Sequence, residues 1–197
     1  MDRTKLKFRN IGDRGLLVEL GETIDPAINL EVQRLTSALA AAGIEGVVEL
    51  VPAYRSILVV YNPLRVAHGR LRQTVQSMHR ELDDISLPAS KDHVIPVVYG
   101  GEYGPDLDWV ADYHGLEPAE VIRLHTQPLY RVYMIGFTPG YPYLGEVPER
   151  LVTPRRETPR TRVPKGSVGI AQRQTGIYPV ASPGGWQIIG RTPVGLF

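Results

Sequence analysis

Four arginines and one lysine crowd eleven positions, Arg155-Arg156-Glu157-Thr158-Pro159-Arg160-Thr161-Arg162-Val163-Pro164-Lys165. On an extended segment Arg160 and Arg162 point to one face and Thr161 to the other. Pro159 and Pro164 bracket the pair and limit the entropy lost in holding it. Guanidinium forks suit the paired oxygens of carboxylates and phosphates, so Arg155, Arg160 and Arg162 are candidate substrate or anion ligands. The same stretch also reads as a solvated loop, or as one paired with Glu157 or with the acids of a partner chain. His125 is a candidate proton carrier, since an unperturbed imidazole titrates near pH 6.5. At the end of an expected helix it could equally be a terminal cap or a packed core residue.

Three Gly/Pro/aromatic segments form a second group. They are Gly136-Phe137-Thr138-Pro139-Gly140-Tyr141-Pro142-Tyr143-Leu144-Gly145, then Gln174-Thr175-Gly176-Ile177-Tyr178-Pro179, then Ser182-Pro183-Gly184-Gly185-Trp186-Gln187. Glycine lets a backbone approach a ligand closely and proline pre-sets a loop. Shared chemistry in three loops suggests one pocket. Pro139, Gly140, Tyr143, Gly176, Gly184, Gly185 and Trp186 would line it, with Gln174 and Thr175 as further substrate contacts. The plainer alternative is a set of tight β-turns.

Other chemistries are excluded or weak. There is no cysteine among the 197 residues, so thiol nucleophiles, disulfides and zinc-thiolate sites are absent. Lys165-Gly166-Ser167 lacks the order and the upstream glycine of a phosphate-binding P-loop. His68 and His79 share an expected helix but stand 11 positions apart, about 16 Å along its axis. No metal site is expected. The net charge of +1 argues against a nucleic-acid partner. It hides an asymmetry, since residues 136–197 carry net +5 and the rest net −4. The N-terminus lacks the apolar segment of a signal peptide, and the apolar runs are too short to span a membrane. A cytoplasmic protein with no membrane association is expected.

These groups need a frame to hold them, and the chain changes character near residue 90. Residues 1–87 hold six Gly and three Pro; residues 136–197 hold ten and nine. Aperiodic Gly and Pro at that density can signal disorder. The interleaved aromatic and β-branched residues argue instead for short strands and demanding turns. Residues 1–87 read as a small α+β domain and 88–92 as a linker. Within the first domain a strand covers 16–20. Asp25-Pro26 starts a helix with Ile28, Val32, Leu35, Leu39 and Ala42 on one stripe, and Gly43 stops it. Strands follow at 47–51 and 57–61. Asn62-Pro63 opens a second helix, with Leu64, Ala67, Leu71, Val75, Met78 and Leu82 on its apolar stripe. Residues 93–197 begin with a strand at 94–99. Helices capped by Asp106 and starting at Pro118 come next, then a strand at 129–135 and a mostly-β remainder.

The 136–145 run, with Thr153-Pro154-Arg155-Arg156, Pro159–Pro164, Gly166-Ser167-Val168-Gly169-Ile170 and the blocks from Gln174 and Ser182, resembles the KipI/PxpB family. Gly12-Asp13, Pro52-Ala53-Tyr54 and the run from Val94 to Gly101 also fit, more loosely. Members are the B subunit of 5-oxoprolinase, allophanate hydrolase subunit 1 or sporulation-kinase inhibitors. The resemblance implies an α+β N-terminal domain followed by a mostly-β cyclophilin-like barrel. It also implies a complex with two partners. One is the KipA/PxpC-like C subunit, the other the lactam-utilisation type A subunit. That complex would hydrolyse 5-oxo-L-proline to L-glutamate, using ATP with Mg2+; nothing implies that this chain binds the nucleotide itself. A component of a urea/allophanate pathway and an inhibitor of a sensor histidine kinase are the alternatives. Family members usually continue past Phe197, so the 93–197 domain is expected to be truncated or to lack closing strands.

Overall fold

The computed structural model describes residues 6–82 and 85–196. The chain divides into two units, Met1–Lys91 and Asp92–Phe197.

In the first unit, α1 (Pro26–Ala42) starts and stops where local chemistry dictates. The Asp25 carboxylate accepts from the N–H groups of Ala27 (2.7 Å) and Ile28 (3.2 Å). These are donors that a helix leaves without intrahelical partners. Gly43 ends the helix in the left-handed region, φ 52°, where a Cβ would be strained. Strands β1 (Lys7–Ile11), β2 (Gly15–Glu19), β3 (Val47–Pro52) and β4 (Ser56–Tyr61) form one antiparallel sheet in the order β1-β2-β4-β3. Alternation along β4 buries Ile57, Val59 and Tyr61 in one core with Val32, Leu35 and Leu39 of α1. Each such side chain contributes about 1.5–3 kcal/mol on burial.

The second helix differs from expectation. α2 runs His68–Arg80, starting well after Asn62-Pro63. The Asn62 side chain does accept from the N–H of Leu64 (3.0 Å), but this closes a local turn rather than a helix. Leu64, expected on the apolar stripe, is 94% exposed; Leu71, Val75 and Leu82 are buried as the pattern requires.

The second unit holds a six-stranded antiparallel sheet. Its strands are β5 (Val98–Tyr99), β6 (Arg131–Ile135), β7 (Pro142–Gly145), β9 (Ser167–Ala171), β10 (Gln174–Ile177) and β12 (Gln187–Arg191). They are ordered β5-β12-β9-β10-β7-β6. A two-stranded ribbon joins β8 (Arg160–Val163) to β11 (Ser182–Gly184). Helices α3 (Leu107–His114) and α4 (Pro118–Thr126) pack Leu107, Val110, Val121 and Leu124 into one core with Val168, Ile170, Ile177 and Ile189 of the sheet. Among the described residues β5 and β6 are unpaired edges, so the expected cyclophilin-like barrel is not closed here. The expected 94–99 strand shrinks to two residues; Pro96 has no N–H to give a ladder. The Gly/Pro-rich region carries regular strands. Among the described residues no helix is long and apolar enough to cross a membrane.

Candidate functional site

The three Gly/Pro/aromatic segments do converge. Tyr141 sits edge-on to Tyr178 (5.2 Å between ring centroids) and to Trp186 (5.9 Å), and Tyr143 lies 4.9 Å from Tyr141. Tyr143 also meets Trp186 at 6.1 Å, so one aromatic wall gathers side chains from all three segments. The Arg155 guanidinium stands 6.0 Å from the Trp186 ring centroid, placing an exposed cation beside that wall. Burial raises the hydroxyl pKa of Tyr143 and Tyr178, and Arg155 opposes the rise at both.

The glycines have another reason than ligand approach. A Cβ on Gly176 would lie 2.5 Å from the Tyr141 hydroxyl, and one on Gly184 2.3 Å from that of Tyr178. Their missing side chains are filled by the protein's own tyrosines, not by open space. Gly185 meets Pro159 at an ordinary 3.6 Å. Gly140 takes φ 78°, a turn conformation that favours glycine, beside exposed Pro139. Its neighbour Phe137 takes φ 64° while 60% exposed. A strained, exposed aromatic in a loop marks a functional candidate that residue type alone did not single out.

Asp106 organises the basic segment. It was expected to cap α3, yet its side chain makes no cap bond. One carboxylate oxygen accepts from Arg156 Nη1 (3.1 Å) and Arg160 Nη2 (2.7 Å); the other accepts from the Ile188 N–H (2.6 Å). The Arg156 N–H donates to the Gly185 carbonyl at 2.8 Å. These bonds tie the 154–159 loop down and seat Arg155 at the aromatic wall. Arg160, an anion-binding candidate, is half-committed, with part of its fork holding Asp106. Its Nη1, also buried, has no partner.

Arg160 and Arg162 do share a side. Both line a cavity of about 120 Å³, with Glu102, Tyr103, Ser167 and Arg191. Arg191 lies over the Tyr103 ring, 5.7 Å from its centroid. Among the described residues no carboxylate pairs with Arg155, Arg162 or Arg191, and Glu157 pairs with none of these arginines. Sequence spacing missed Asp106, Arg156, Tyr103 and Arg191. Asp106 looked like a helix cap, and Arg191 lies far along the chain from the basic run.

His125, the candidate proton carrier, is packed in the interior. It is 6% exposed, and both ring nitrogens are engaged. Nε2 meets Thr175 Oγ1 at 2.9 Å and Nδ1 meets the Tyr99 hydroxyl at 2.8 Å. Thr175 donates its single hydroxyl proton to the Gly169 carbonyl (3.0 Å), so it must accept from His125. That places a proton on Nε2, and in the neutral ring the Tyr99 hydroxyl donates to Nδ1. Burial pushes the imidazole pKa down to about 4 and that of Tyr99 up to about 12. The ring is shut from solvent and carries no proton to spare. Thr175 is equally buried, and Gln174 lies half-buried on β10 opposite Ala171 and Gly145. Neither lines the arginine cavity.

In the first unit a cleft of about 250 Å³ is lined by Lys7, Arg9, Glu19, Glu22 and Arg55. Lys7 pairs with Glu22, while Arg9 and Arg55 pair with Glu19. Each of those lining cations is thus committed to a carboxylate. Among the described residues no group of three or more His, Asp or Glu could hold a metal ion.

The profile of the carboxyltransferase domain, subdomains C and D, matches residues 6–197. The chain belongs to the carboxyltransferase subdomain C and D family. Within that family it is 39% identical to the B subunit of 5-oxoprolinase from Bacillus subtilis, over 98% of this chain and 85% of the relative. The resemblance seen in the ordered Gly, Pro and Arg blocks is thereby shown. The crystal structure of TTHA0988 superposes with a TM-score of 0.81 at 40% identity, covering 93% of this chain and 36% of that one. Urea amidolyase of Lachancea kluyveri is more distant, 26% identical over 95% of this chain and 12% of its own length. In both longer proteins this family module is one part of a larger chain.

Proposed function

We propose that the chain is the B subunit of an ATP-dependent 5-oxoprolinase, opening 5-oxo-L-proline to L-glutamate together with the A and C subunits. The observation that carries this is the 39% identity to a 5-oxoprolinase B subunit over most of both chains. The urea amidolyase relationship supports an allophanate-type role only at lower identity and over a small part of that protein.

Opening a lactam develops negative charge on the carbonyl oxygen and requires a proton at the leaving nitrogen. This chain offers the first kind of help. Arg155 is an uncommitted cation beside Tyr143 and Trp186, an apolar wall suited to the face of a small ring. His125 is buried with both ring nitrogens engaged, and no residue of this chain is assigned to the proton-donating step. ATP with Mg2+ belongs to the complex. A cavity of about 120 Å³ is smaller than the roughly 300–1,000 Å³ of sites that enclose larger ligands.

Catalysis is shared with the partner subunits in a soluble cytoplasmic complex. The isolated chain, given ATP and 5-oxoproline, is expected to release neither glutamate nor ADP above background. Co-expressed with the C subunit, it is expected to elute as one peak in size exclusion. Robust turnover by the chain alone, or two separate peaks at micromolar concentration, would overturn the reading.

A further inference from the structure

The cavity bounded by Arg160, Arg162 and Arg191 has a charge imbalance that the protein does not correct itself. Four arginines meet there or just behind it, Arg156, Arg160, Arg162 and Arg191, against two carboxylates, Asp106 and Glu102. Asp106 is spent on Arg156, Arg160 and the Ile188 N–H. Glu102 lines the cavity without pairing to any of the four among the described residues. Two positive charges remain in excess. Arg191 is braced by the Tyr103 ring, which holds its guanidinium plane without using its donors. Arg160 Nη1 is buried and unpartnered, an N–H group that has lost water and gained nothing in return. That atom is closed to water, so Arg160 contributes charge behind the cavity rather than a donor within it.

We propose that this cavity is an oxyanion subsite, taking the carboxylate or phosphoryl group of a small molecule. Arg162 and Arg191 grip the oxygens from the open side, and Arg160, held in place by Asp106, adds its positive charge from behind. The cavity, about 120 Å³, has room for one such group. The carboxylate of 5-oxoproline is one source and a terminal phosphoryl group is the other. The subsite itself does not depend on the proposed hydrolase activity.

Titration calorimetry on the whole chain decides it, using inorganic phosphate, 5-oxo-L-proline, and the uncharged amide of 5-oxo-L-proline. Saturable binding of phosphate or 5-oxoproline is expected, weakening with added salt. Binding of 5-oxoproline but not of its amide identifies a carboxylate subsite; binding of phosphate alone identifies a phosphoryl subsite. Arg162→Ala and Arg191→Ala should each weaken binding about tenfold or more, the size of one charge-assisted hydrogen bond. Glu102→Gln should strengthen it a few-fold by removing a like charge, an effect no merely structural role gives. Arg160 is left intact, because its loss would strand Asp106; thermal melts confirm that the three variants fold. Absence of binding by both anions, or binding unchanged in both arginine variants, overturns the subsite. Arginine-dependent binding in a chain whose complex does not turn over 5-oxoproline would keep the subsite and remove the proposed function. Turnover with no such binding would do the reverse.

Discussion

Asp106→Ala should lower the melting temperature by more than about 10 °C. The carboxylate is 5% exposed and joins two guanidiniums and one backbone N–H. Removing one partner of a buried ion pair costs about 3–5 kcal/mol because the other charge stays behind. Arg156 and Arg160 retain some contact with water, side chains 35% and 24% exposed, so the lower end applies. Each kcal/mol shifts the midpoint of a domain of this size by about 4–8 °C. Asp106→Asn should recover little. Whichever way the amide is turned, its NH2 faces donors, either the two arginines or the Ile188 N–H. Thermal melts of both variants check this, and a shift under about 3 °C for Asp106→Ala would contradict it.

Acid should weaken the fold through His125. Its pKa is about 4 in the folded chain against an ordinary value of 6.5. Between those values the unfolded chain binds a proton that the folded chain refuses. The contribution is complete above pH 6.5 and is lost as pH falls toward 4, at about 1.4 kcal/mol per pH unit and about 3 kcal/mol in all. His114, also lowered by burial, adds a slope of the same sign. His125→Gln should remove only the His125 part. At pH 7.5 it should cost about 1–3 kcal/mol, because one buried partner among Tyr99 and Thr175 loses its match. Urea unfolding at pH 7.5, 6 and 5 compares the two proteins. Free-energy curves that run parallel over that range would rule out the depressed imidazole.

Local signals were the legible ones. Asp25, Pro26 and Gly43 act within one helical turn of themselves, so both ends of α1 were readable. The same logic misplaced α2, because Asn62 closed a turn with Leu64 and the chain needed several more residues before the helix began. Asp106 shows why long-range chemistry stays hidden. An aspartate before an apolar helix looks like a cap, and only tertiary contact with Ile188 and Arg160, far along the chain, reveals another use. His125 was ambiguous for the same reason; burial and the Thr175 hydroxyl decide it. Convergence of the three aromatic segments was legible from their repeated composition. The reason for Gly176 and Gly184 was not, since a tyrosine hydroxyl filling the vacated space leaves no mark in sequence.

The central claim is that this chain serves a lactam hydrolase. Steady-state turnover by the complex reconstituted from this chain with the A and C subunits tests it most directly. Glutamate and ADP release from 5-oxoproline and ATP is compared with ammonia release from urea and allophanate under the same conditions. Glutamate and ADP formed together, only when this chain is present, with no turnover of urea or allophanate, is the expected result. Turnover of urea or allophanate with 5-oxoproline left intact would contradict it.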